Sequence, residues 1–113
     1  MNSTHPIDLA VFEELRDTAG ADFVAELVGT FFEEAPLLVA ELREAWAAGA
    51  TQRFQRAAHS LKSNAHTFGG NELGGLAREL ELGGLDSASD ERLLALEAAY
   101  ARAAAALKEL QHG

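Results

Sequence analysis

Apolar residues in this chain return every third or fourth position and rarely alternate, which is the spacing of helices rather than strands. β-Branched residues are sparse, so nothing argues for a sheet. Asp8 is placed to cap a short first helix whose Leu9, Phe12 and Leu15 share a face until Gly20. Phe23, Leu27, Phe31, Ala35, Leu38, Leu42 and Ala45 then hold one stripe through about six turns, as far as Gly49. Pro36 falls inside that stripe. It removes a hydrogen bond and crowds the preceding turn, but the stripe keeps its phase across it, so a kink is expected rather than a break.

Thr51 can cap a third helix that runs to Phe68, where Gly69-Gly70 stops it. A fourth runs from Asn71 to Leu82 with Leu73, Leu76, Ala77 and Leu80 on one face, and Gly83-Gly84 ends it. In "LDSASDE", Ser87 or Ser89 can cap a fifth, whose first turn carries the acidic residues the helix dipole favours. Leu93, Leu96, Ala99, Tyr100, Ala103, Leu107 and Leu110 form its apolar face. The pattern predicts an all-α fold, an antiparallel up-down-up-down four-helix bundle with an additional short N-terminal helix over one end.

Composition narrows the possibilities. The 113 residues suit one domain spanning 1–113, and 48% hydrophobic with 24% charged residues suits a soluble globular chain. Nine basic against eighteen acidic residues leave a formal charge of −9, so nucleic acid is not an expected partner. There is no cysteine, hence no disulfide framework or thiolate chemistry. The start "MNSTHPIDLAVFEELRD" lacks the pattern of a secretory signal, and no apolar run is long enough for a membrane span. A cytoplasmic location is the expectation. The end at "KELQHG", without kinase or dimerisation segments, favours a stand-alone protein.

Candidate chemistry concentrates in "AAHSLKSNAHTFGG", residues 57–70. On a helix, Phe54, Ala57, Ala58, Leu61, Ala65 and Phe68 fall in one arc and form the core face. His59 projects from the outer side, with Ser63 and His66 beside it and Gln52, Gln55 and Arg56 on the same half. Lys62 follows His59 at i+3, where side chains on a helix are neighbours. An exposed imidazole is either an indifferent surface residue or a nucleophile, neutral at pH 7 because its ordinary pKa is about 6.5. An ammonium one turn away can hold the oxygens of a phosphoryl group on that nitrogen. A metal site is a poor fit: His59 and His66 are two turns apart, with no acidic residue between them. Neither a nucleophile elbow nor a phosphate-binding glycine loop is present.

The segment "AHSLKSNAHTFGGNELGGLARELE", residues 58–81, resembles the signature of histidine-containing phosphotransfer (HPt) domains. The resemblance rests on Ala58-His59, Leu61-Lys62, Gly69, and then Leu73, Leu76, Leu80 and Glu81. The proline-bearing "FFEEAPLLVAELREAWAAG" upstream also looks like the family, so nearly the whole chain is covered. One position departs: Ser63 stands where the family usually carries glycine. Asn64 and His66 also replace residues that are commonly small.

The resemblance implies a phosphoryl carrier of a two-component multistep phosphorelay, with no turnover of its own. His59 would take the phosphoryl group from a receiver-domain aspartate, or return it. Lys62 would steady the phosphoryl oxygens, and Glu81 would orient the imidazole through its other nitrogen. Gln55, Arg56, Ser63 and His66 would border the partner surface. The implied partners are response-regulator receiver domains and a hybrid sensor histidine kinase. No cofactor is expected on this chain, Mg²⁺ being expected on the receiver, and the chain is expected to act as a monomer. A helical docking module that binds such partners without phosphotransfer is the alternative, and the substrate domain of a chemotaxis-type histidine kinase is a further one.

Overall fold

The computed structural model describes residues 5–112. Five α-helices account for nearly all of them: α1 Leu9–Ala19, α2 Ala21–Ala48, α3 Thr51–Thr67, α4 Asn71–Gly83 and α5 Asp90–His112. A 3₁₀ turn, Gly84–Ser87, precedes α5, and no strand occurs among the described residues. α3 packs against α2 on one side and α4 on the other, and α5 closes the ring against α2 and α4. This is the predicted all-α bundle. α1 lies against α2 and touches the α3–α4 turn, where the Asp8 amide donates to the Gly69 carbonyl at 2.8 Å.

Asp8 caps α1 as expected, accepting from the amides of Ala10 and Val11. Ser89, rather than Ser87, accepts from the Arg92 amide at the start of α5. Ser87 instead donates to the Gly84 carbonyl and holds the 3₁₀ turn, which apolar periodicity does not reveal. The expected cap at Thr51 is a correction: Thr51 is already helical, Ala50 occupies the cap position, and no side chain bonds the free amides there. Pro36 is accommodated within the continuous helix α2.

A second correction concerns the phase of α2. Phe23 is 51% exposed, while Val24 and Val28 are buried. Phe23 precedes Phe31 by eight residues, which turns it about 80° away, whereas Val24 precedes it by seven and comes within about 20°. Steps of four alone walk off the seam; alternating steps of three and four stay on it.

The core contains Phe12, Phe31, Leu42, Phe54, Leu61, Leu73, Leu80, Leu96 and Leu107 with small residues between them, and no buried polar residue among those described. Phe31 of α2 lies 5.6 Å from Phe68 and 5.6 Å from Tyr100 of α5, joining three parts of the chain in one aromatic cluster. The buried Ala58, Ala65, Gly74 and Ala77 let α3 and α4 approach closely. Gly69 is needed at its turn twice over. Its φ is +78°, and a Cβ there would fall 2.9 Å from the Asp8 backbone oxygen.

Candidate functional site

His59 is the ninth residue of α3, and its neighbours Ala57, Ala58 and Leu61 anchor the helix in the core. That anchoring turns the imidazole outward along the edge facing α4, where its side chain is 59% exposed. Its Nδ1 lies 2.7 Å from Oε2 of Glu81 in the last turn of α4. Nε2 makes no hydrogen bond among the described residues. A carboxylate on Nδ1 favours the tautomer with the proton there and leaves the lone pair on Nε2.

The second oxygen of Glu81 meets Lys62, whose Nζ is 2.8 Å from Oε1. Lys62 and Glu81 are half-buried, with side chains 25% and 23% exposed. Oε1 itself is screened from solvent and accepts no well-aligned hydrogen bond, so the ammonium is its compensation. The Lys62 ammonium first, and the His59 ring second, hold the Glu81 carboxyl below its ordinary 4.5, against the opposing effect of burial. The carboxylate is therefore ionised at neutral pH. His59, Lys62 and Glu81 form one contiguous group across the α3–α4 seam.

The four residues expected around His59 divide between two sides. Gln55 and His66 face α4: the Gln55 amide reaches the Glu81 backbone carbonyl at 3.4 Å, and the His66 ring rests on Gly74. A Cβ at Gly74 would come within 2.6 Å of that ring, so the bare glycine provides its seat. Arg56 and Ser63 face α2 instead. Ser63 helps line an open depression with His59, Ser60, Asn64, Glu34 and Leu37, and Arg56 lines the next one with Leu38 and Glu41.

Sequence reasoning missed Leu37 and Glu34. Leu37 is 71% exposed on α2 beside His59, the most exposed large apolar side chain described. Its signal was present: a leucine out of phase with the apolar stripe of its own helix. Among the described residues no group of three or more acidic or histidine side chains is gathered as a metal site requires, and no helix is long and apolar enough to cross a membrane.

No curated protein and no solved structure matches the chain. The sequence model of one family, described as Hpt domain, matches residues 26–112, a span that takes in most of α2 and all of α3, α4 and α5. With the bundle, and with an exposed histidine at the middle of its third helix, that match places the chain in the Hpt domain family.

Proposed function

We propose that this protein carries a phosphoryl group on Nε2 of His59, between receiver-domain aspartates of a multistep phosphorelay. Histidine phosphotransfer in two-component signalling is the general activity of Hpt domains, and the assignment to His59 is ours. The observation that carries it is the division of labour on the imidazole: Nδ1 is held by Glu81 at 2.7 Å, and Nε2 is left open on a ring that is 59% exposed.

The Nε2 lone pair attacks phosphorus of an aspartyl phosphate as the bond to the aspartate oxygen breaks and the carboxylate leaves. The ring keeps its Nδ1 proton and gains positive charge, which the Glu81 carboxylate stabilises. Return to a second aspartate reverses these events. Mg²⁺ belongs to the receiver, while this chain contributes the nucleophile and the positive charge of Lys62. Leu37 and the α2–α3 depression beside His59 suit a modest, transient contact with an apolar centre.

Mixing with a phosphorylated receiver transfers acid-labile label to the wild-type chain, and His59→Gln abolishes it with helix content intact. Label retained by His59→Gln would refute the assignment. An unlabelled wild type that still binds the receiver would favour a docking module.

A further inference from the structure

We propose that Arg56 and Arg78 decide which receiver domain docks at His59, selecting one whose face carries carboxylates on both sides of its phosphorylated aspartate. The inference deepens the phosphotransfer reading by naming the chemistry of the partner. Its kinetic readout rests on that reading, and its binding readout does not.

Nine basic residues face eighteen acidic ones in this chain. Five of the nine sit on a carboxylate: Arg43 on Asp90 and Glu97, Arg53 on Glu41, Lys62 on Glu81, Arg92 on Glu79 and Arg102 on Glu72. Two more lie over rings, Arg16 over Phe12 and Lys108 over Phe32. Arg56 and Arg78 make neither contact among the described residues, and both are exposed. Arg56 shares a depression with Glu41, but that carboxylate is already held twice by Arg53, at 2.8 and 2.9 Å.

Their placement is as particular as their lack of partners. Arg56 lies one turn before His59 on α3, on the side facing α2. Arg78 lies on α4, one turn before Glu81, which bonds His59, and one turn after Gly74, on which His66 rests. The two unneutralised cations therefore stand on opposite sides of the imidazole, one towards each neighbouring helix. Glu34 lines the depression beside His59 on the α2 side, and it forms no ion pair among the described residues.

A carboxylate brought up to this flank is drawn to either arginine and repelled by Glu34. Attraction at two points and repulsion at a third select the orientation of a partner as well as its identity. A receiver domain presents an aspartyl phosphate, itself anionic, to a chain of formal charge −9. The two arginines offset that repulsion where the reacting groups must meet.

The test measures phosphoryl uptake at short times from a set of receiver domains of the source organism, each charged with an acyl phosphate. All variants are first shown by circular dichroism to keep their helices. Arg56→Gln with Arg78→Gln lowers the second-order rate of uptake about tenfold for the receiver that the wild type takes fastest, and the rate at saturation is kept. High salt removes most of that difference. Arg92→Gln with Arg102→Gln makes the same charge change on the α4–α5 edge and lowers the rate by less than about twofold. Arg56→Glu with Arg78→Glu reorders the set, moving receivers with basic rims ahead of those with acidic ones. An equal loss for every receiver, a loss that salt does not remove, or an equal loss in the α4–α5 control would overturn the proposal. Should the wild type take no label from any receiver, the phosphotransfer reading falls. Salt-dependent binding of the same receivers to the wild type and to the Arg56→Gln, Arg78→Gln variant then decides the docking role, and equal binding refutes it.

Discussion

Two charged clusters bridge helices in this bundle, and they differ in one respect that matters. Arg43 of α2 binds Glu97 through Nε and Nη2 and Asp90 through Nη1, at 2.7, 3.3 and 2.8 Å, tying α2 to α5. Every nitrogen of its guanidinium is engaged. Across the molecule Glu81 binds His59 and Lys62 at 2.7 and 2.8 Å, tying α3 to α4, but the imidazole Nε2 bonds nothing among the described residues. Both clusters sit at half-exposed edges and use the same kinds of ion pair. A saturated cluster is a brace; one with an open nitrogen keeps a lone pair that the proposed role of His59 would use.

Reciprocal substitution is the strongest way to break this comparison. Glu81→Ala lowers phosphoryl uptake by roughly tenfold in a timed labelling assay, with a smaller fall in melting temperature than Arg43→Met causes. Arg43→Met lowers the melting temperature by a few degrees and leaves the uptake rate unchanged. If Arg43→Met slows uptake as much as Glu81→Ala does, the two clusters are not separate in function.

Acid sharpens the same contrast. The Glu81 carboxyl is held below 4.5 in the folded chain, so it binds protons more weakly there than in the unfolded chain. Its contribution to stability is therefore fully present above 4.5 and is lost as the pH falls through the lower, folded value. Melting temperatures of the wild type and Glu81→Ala should differ most near neutral pH and converge at the acid end. The smallest effect is expected at Gly75 of α4, where an added Cβ meets nothing within 4 Å. Gly75→Ala should stabilise the helix by about 0.5–1 kcal/mol, read as a rise in melting temperature, with uptake unaltered.

Much of this was legible in the residues themselves. The five helices follow from spacing and from glycine stops, and the outward position of His59 follows from the arc of Ala57, Ala58, Leu61 and Ala65. Short capping signals were less decisive. Asp8 caps its helix, but Thr51 does not, because a capping side chain is useful only if the chain enters the helix at that residue. The phase error at Phe23 arose from following steps of four, since a helix has no means of marking its seam except through its partners. The Lys62–Glu81 pair was hidden for a related reason. The two residues are distant in sequence, and only the close approach of α3 to α4 across small residues determines which cation faces that carboxylate. The split of Arg56 and Ser63 from Gln55 and His66 likewise depends on which helix lies on each side of α3.

The central position of His59 within α3 has a consequence for traffic. Eight helical residues lie on either side of it, so about 12 Å of helix separates the imidazole from each end. In the proposed role, a partner would approach broadside, along the flank of the bundle, and the turns at its two poles would stand outside the exchange. Of those turns, the one at Gly69 is fixed by its positive φ and by Asp8, so a change there acts through the fold and not through contact with a partner.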